Sequence, residues 1–407
     1  MKSNSIVIQK AADEAKKIFQ SIGYPSKRDE NWRMVDLSNV LSTQFIESKK
    51  QPIDVTMFSD FLIDDCYHIF SINGFLNLEL SDNLPPCVNL STIEESQVNL
   101  EGRFAKISDC KNNGFNAKNT SKFKDGIMLN ISSKQKIDKP IQLLNIFLNS
   151  EDSSIHYPRL LIIVDSQSEL SLINHFICTD KNQHLVNSVV EIDVQENSTF
   201  NYSVIQIGNS SSNIIESTSS NQSSNSIMNY NSFSLDGKMS RNDINLRLNK
   251  DLAEINLHGL FLGSDSQFVD YHTTINHVSP NCNSNEIFQG VMNENSKGVF
   301  NGLVNVSQYA KNTNSNQKNR NLLLSNQATV NSNPQLEIFC DDVSCTHGST
   351  TGYLDKDMIF YLQSRGIDKE KAKQILIHGF AKEIIDHVTH ESTKIYLDSC
   401  VNAWMNK

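Results

Sequence analysis

The strongest constraint on the fold of this chain lies between about Gly126 and Thr351, where short apolar and polar alternations follow one another with no helical interlude. Val190, Ile192 and Val194 alternate with more polar residues. So do Phe200, Tyr202 and Val204, then Ile244, Leu246 and Leu248, then Ile255, Leu257, Gly259 and Phe261. Successive side chains of a strand point to opposite faces, so a period of two marks half-buried strands. Glu196-Asn197-Ser198, Asp236-Gly237 and Gly263-Ser264-Asp265 supply turn chemistry between them. A run of this length without helices argues against βαβ units and for a stacked β-solenoid or a large sandwich, which periodicity alone does not separate. Asn209 to Ser226, rich in Ser and Asn, reads in isolation as a flexible linker. Inside a solenoid it reads equally well as a polar coil or an edge loop.

The flanks have a different period. The first 125 residues look mixed and mainly helical: Ala11 to Ile22 carries apolar residues among Lys and Glu and stops at Gly23 and Pro25. After Gly352 the spacing becomes helical again. Asp355 is a good N-cap, Leu354 and Ile359 form a hydrophobic staple across it, and Asp357 suits the positive end of the helix dipole. Gly366 ends that helix and Asp368 caps the next. There Ala372, Ile375, Leu376, Gly379, Phe380, Ile384 and Val388 build one apolar face, with Ile395, Tyr396, Cys400 and Trp404 behind it. Three regions follow: 1–125 mainly helical, 126–352 all-β, and 353–407 a small helical bundle.

Composition narrows the function classes. Asp and Glu outnumber Lys and Arg, 46 to 36, for a net charge of -10. No basic block has the footprint that nucleic acid or an anionic membrane needs. No apolar run approaches the ~20 residues of a membrane span, and the start lacks the apolar segment of a signal peptide, so a soluble, cytoplasmic protein is expected. The eight cysteines (66, 87, 110, 178, 282, 340, 345 and 400) are scattered and read as reduced thiols. No C-x2-C occurs, which argues against a self-contained four-cysteine cluster site. Phosphate-loop and dinucleotide glycine fingerprints are also absent from the chain.

The chemistry-bearing residues concentrate in Cys340-Asp341-Asp342-Val343-Ser344-Cys345-Thr346-His347-Gly348. In an extended segment Cys345 and His347 project together while Thr346 faces away. A thiolate beside an imidazole suits a borderline-soft metal such as ferrous iron. Two ligands do not close a site, so a partner chain supplies the rest or the pair is structural. Cys345 also reads as a small buried hydrophobe, and His347 as a histidine satisfied inside a strand network. His272 and His277, five apart, fall on opposite faces of a strand, which is poor ligand geometry. Cys282 lies beyond Pro280 around a turn.

Ordered elements along the chain resemble the SufB/SufD proteins, the scaffold subunits of the SUF iron-sulfur cluster assembly machinery. They are Asp236-Gly237-Lys238-Met239-Ser240-Arg241-Asn242-Asp243, Gln267-Phe268-Val269-Asp270-Tyr271-His272, His277-Val278-Ser279-Pro280-Asn281-Cys282, Phe300-Asn301-Gly302, Gln317 to Ser325, Pro334-Gln335-Leu336-Glu337-Ile338, the Cys-Thr-His-Gly segment and Ser364-Arg365-Gly366-Ile367. Trp32-Arg33-Met34-Val35-Asp36-Leu37 resembles a short tryptophan motif near the start of SufD proteins, and reads otherwise as an anchor for a small helical domain. The resemblance implies a right-handed parallel β-helix core, and the short N-terminal part favours SufD over SufB. It also implies a non-catalytic scaffold that works with SufB and the SufC ATPase, with a homodimer as the form of the isolated chain. His347 falls where the family places a histidine facing a cysteine of SufB at the site of cluster assembly, with Cys345 as a further candidate ligand. Iron or a cluster is then held transiently at that interface, and none stably by the isolated chain. The helical domain implies docking of SufC, with Ser364, Arg365, Gly366 and Phe380 as candidate contacts. Two other readings are a SufB-type paralogue and a β-helix enzyme acting on polysaccharide. The latter would need carboxylates or basic residues clustered on one solenoid face, and usually an export signal.

Overall fold

A computed structural model of the chain describes residues 2–148 and 153–407. Strands alternate between two parallel sheets, so each pairs with the strand next but one along the chain. Thr199–Ile207 pairs with Ile227–Ser234, and Asn213–Gln222 with Met239–Leu248. Repeated along the chain, this connectivity gives a parallel β-solenoid of about 7 turns, and the sandwich alternative falls away. Asn209 to Ser226 is no linker. Its centre is the strand Asn213–Gln222, buried along nearly its whole length.

Asparagine explains how coils so polar in sequence stack so regularly. Asn197, Asn225, Asn281 and Asn312 all sit at φ between 52 and 59°, a left-handed conformation that asparagine tolerates better than most residues. Their amides also pair from coil to coil: Asn225 Nδ2 donates to Asn197 Oδ1 at 2.8 Å, and Asn312 Nδ2 to Asn281 Oδ1 at 2.8 Å. A second ladder runs Asn256 to Asn229 to Asn201, at 3.0 and 2.8 Å. In the first set a turn residue also links one coil to the next; the second ladder lies within the strands.

The lumen is apolar near its N-terminal end, with Leu129, Ile141, Leu143, Leu160, Ile162 and Leu172 all buried. Further along, aromatic rings fill it: Tyr202 lies 5.0 Å from Tyr230, and Tyr271 lies 4.9 Å from Phe288, which is 5.0 Å from Phe300. The solenoid begins earlier than residue 126. Tyr67–Ile72 already runs parallel to Ile141–Ile146, and the antiparallel strands Phe75–Asn77 and Val88–Thr92 finish the two sheets at this end. The first helix runs from Lys2 to Ile22, longer than its apolar spacing suggests, and packs on the helix Gly114–Lys122.

At the other end no further strand follows. Thr329–Ile338 and Val343–Tyr353 are the last strands of their sheets, each with one edge unpaired. The chain then turns back as three helices, Lys356–Ser364, Lys369–Ile385 and Glu391–Met405. Asp355 and Asp368 cap the first two through side-chain oxygens that accept backbone N–H groups, as their sequence positions require. The second and third helices lie on the outer face of the second sheet, where Ile377, Phe380, Ile384 and Leu397 join Ile205, Phe233, Leu260 and Leu262 in one core.

Candidate functional site

His347 stands at the open mouth of the solenoid. It lies on the terminal strand Val343–Tyr353, in register with Gln317 on the strand below. Alternation puts Val343, Cys345, His347 and Ser349 on the lumen face. Cys345 and Val343 pack with Val304, Val306, Ala310 and Cys340, and Ser349 Oγ bridges the mouth to Ser332 Oγ at 2.7 Å. Cys345 and His347 therefore do share a face. Their surroundings differ: His347 is exposed because no coil covers it, whereas Cys345 is half-buried. Burial raises the Cys345 thiol above its usual range, a smaller opposing effect coming from the backbone of Ser315. That disfavours the thiolate a metal needs. A concavity of about 660 Å³ opens at this end of the solenoid, lined in part by Gly298, Val330, Ser332, Ser349 and Thr351 but not by Cys345 or His347.

One residue column leads to this mouth, and sequence reasoning missed it. Leu172, Tyr202, Tyr230, Leu257, Glu286, Gln317 and His347 follow one another in strand register. The column passes from apolar to polar as it nears the end. Glu286 is fully buried with no charged partner; it accepts from Thr273 Oγ1 at 2.5 Å and from Gln317 Nε2 at 2.7 Å. Burial pushes its carboxyl up to about 7 against these hydrogen bonds. Gly302 makes room for Gln317, since a Cβ there would come within 2.5 Å of Gln317 Nε2, which gives the glycine of Phe300-Asn301-Gly302 a steric reason. Glu216, deeper in the lumen, repeats the pattern: burial pushes it up to about 7, against hydrogen bonds from Gln206 and Thr218.

The other motif residues build structure. Arg241 is buried and paired to both Asp243 and Asp270, while its Nη1 donates to the Asn31 carbonyl at 2.8 Å. The Trp32 ring lies 4.3 Å from its guanidinium and stacks on Phe115 at 5.2 Å. The tryptophan segment is thus an anchor, clamped to the solenoid by the Ser-Arg-Asn-Asp motif. A second clamp was invisible in sequence. Glu191 pairs with Arg159, both buried, and accepts from the backbone N–H groups of Ala105, Ile107 and Ser108. His272 and His277 do not converge: His272 sits 3.2 Å from Asp270, and His277 Nε2 meets Ser284 Oγ at 2.8 Å in the interior. The Cys282 thiol donates to the Lys250 carbonyl at 3.3 Å. Among the described residues no three His, Cys, Asp or Glu side chains gather as a metal site within the chain.

The expected partner-binding residues divide. Ser364, Arg365 and Gly366 are exposed at the end of the first C-terminal helix, with Gly366 at φ 86°. Phe380, expected as a contact for a partner, instead faces inward: it is 8% exposed and lies under Arg320, whose guanidinium is 5.3 Å from the ring. The helical period identified its face correctly but not what covers that face, which is the chain's own solenoid. Exposed apolar residues lie on the first C-terminal helix instead: Phe360 is 72%, Tyr361 53% and Met358 47% exposed.

The fold is a parallel solenoid with a histidine at its open end and a helical bundle folded back on one sheet. Family comparison gives it a place. The description "SUF system FeS cluster assembly, SufBD core domain" matches residues 146–380, and the SufBD N-terminal region matches residues 1–143. The chain belongs to the SufBD family of the SUF system. It is 29% identical to a SufBD family iron-sulfur cluster assembly protein of Synechocystis, over 98% of this chain and 91% of that one. It is 27% identical to the iron-sulfur cluster assembly protein SufD of Escherichia coli, over 91% of this chain and 87% of that protein. Protein ABCI7, chloroplastic, of Arabidopsis thaliana is 28% identical over 94% and 83%. Relatives named SufD make the chain SufD-like. Among the described residues no helix is long and apolar enough to cross a membrane.

Proposed function

We propose that this chain is a non-catalytic SufD-type scaffold subunit, acting in the cytoplasm with SufB and the SufC ATPase to build and deliver iron-sulfur clusters. The observation that carries the reading is the position of His347: an exposed imidazole on an edge strand with one side unpaired, at the end of a column that is otherwise buried. An edge strand offers its free backbone groups to another chain, and a histidine beside that edge is placed to complete a ligand set with residues of the partner. Iron and sulfide are cargo here. A neutral imidazole offers a ring nitrogen to a metal, and histidine is the commonest metal ligand. Cys345 plays the smaller part, because its thiol is engaged in packing. The ATPase docks on the first C-terminal helix and the Ser364-Arg365-Gly366 turn, while Phe380 anchors the bundle to the solenoid.

The test is a paired one on the complex recovered with tagged SufB and SufC. His347→Ala is expected to leave complex recovery by size exclusion unchanged and to cut iron and sulfide content strongly. Cys345→Ala is expected to lower them less. Full cluster yield from an intact His347→Ala complex would exclude His347 from the mechanism. Loss of the complex itself would make the residue structural. The isolated chain is expected to be colourless and without ATPase activity when purified without oxygen.

A further inference from the structure

We propose that Gln317 is a positioning residue for His347, held in its working orientation by Glu286 beneath it. The proposal rests on the reading of His347 given above and concerns how the chain prepares that imidazole. Gln317 is wholly buried, and its amide is half used: Nε2 donates to Glu286 Oε2 at 2.7 Å, while Oε1 has no partner. A buried carbonyl oxygen without a donor is costly, and one in a register column calls for a reason. The next residue in the column is His347, about 4.8 Å away along the strand stacking direction and exposed to solvent. Its imidazole is the one donor-bearing side chain the register places directly above Gln317.

The geometry assigns a division of labour to the two imidazole nitrogens. When the ring turns into the mouth, its N–H donates to Gln317 Oε1, and the other nitrogen, carrying the lone pair, faces outward toward a metal shared with the partner. Metal-ligating histidines ordinarily donate their second nitrogen to an oxygen that fixes tautomer and ring angle. Glu286 supplies what a lone glutamine lacks. Its Oε2 accepts from the amide N–H₂, which leaves the glutamine oxygen, not the nitrogen, toward His347. Gly302 keeps the lumen open at this level, so the amide stays in place without displacement by a neighbouring side chain.

The test reads the tautomer directly. The full chain is labelled with ¹⁵N-histidine, and the His347 ring nitrogens are assigned by their loss in His347→Ala. Gln317→Met, which keeps the chain length but removes the acceptor, is expected to change the His347 tautomer ratio about fivefold, the factor one net hydrogen bond supplies. Glu286→Gln frees the amide to turn and is expected to shift the ratio partway toward that of Gln317→Met. Circular dichroism checks each fold, with Gln317→Leu as the replacement if Gln317→Met does not fold. An unchanged tautomer ratio in a folded Gln317→Met or Gln317→Leu protein overturns the proposal. The two readings fail separately. Full cluster yield in His347→Ala complexes overturns the functional reading at any tautomer ratio, whereas lost yield there with an unchanged ratio in Gln317→Met overturns the positioning role alone.

Discussion

Glu216 and Glu286 are carboxyls in a closed lumen met only by neutral donors. Both are raised to about 7 by burial, so the folded chain holds protons that the unfolded chain releases near pH ~4.3. The stability they contribute is complete below that lower value and is lost as pH rises from it through about 7. Glu216→Gln is accordingly expected to gain on the order of 2 kcal/mol relative to wild type between pH 5 and pH 8, measured as the change in urea midpoint at each pH. A gap that narrows toward pH 8 would contradict a buried, uncompensated carboxyl. Neither glutamate was legible as special from its neighbours in the chain, because enclosure in the lumen sets it apart and that comes from coils distant in sequence; Gln317, which donates to Glu286, is 31 positions away.

At the scale of elements, the contact between helices and solenoid contains a histidine pair. His258 on the strand Glu254–Gly263 stacks on His387, just beyond the second C-terminal helix, with ring centroids 3.7 Å apart and planes within 5°. Burial chiefly, and the second imidazole to a lesser degree, push His258 down to about 3. A folded value below the ordinary ~6.5 means that this stability is present above pH ~6.5 and lost as pH falls toward 3. Hydrogen exchange at pH 4 is expected to show the helices Lys369–Ile385 and Glu391–Met405 losing protection ahead of the solenoid. In His258→Phe that early loss is expected to be reduced. Phe380→Ala acts on the same contact at neutral pH, at a cost of about 3 to 5 kcal/mol, and limited proteolysis is expected to release the helical region while the solenoid stays intact. Helix periodicity predicted that Phe380 faces a core. It carried no information on whether that core is the chain's own, since both covers impose the same spacing.

For the whole molecule, the fold class was readable because alternation over so many strands leaves few architectures. The closing of the N-terminal end was not, since Tyr67–Ile72 and Val88–Thr92 are isolated among loops and helices and show their role only through long-range register. The buried pair Arg159–Glu191 was hidden for the same reason: thirty-two positions separate its members. At the open end the consequence is an interaction surface without a partner. The isolated chain is expected to form dimers through its terminal edge strands, and the double substitution Thr346→Lys with Thr350→Lys is expected to weaken them by setting like charges along that edge. Analytical ultracentrifugation over a concentration series checks this, and an unaltered dimer would place the self-contact elsewhere.

The asparagine ladders also act as a ruler. Partners in them stand 28 positions apart at Asn197 and Asn225 and 31 apart at Asn281 and Asn312, so a deletion of a few residues inside a strand would break the rungs that span it, whereas removal of one entire coil would let the rungs re-form. Among the chain's relatives, length differences within the core should therefore fall either at loop tips or in steps of roughly thirty residues. The molecule's evolutionary freedom is quantised by its own turns.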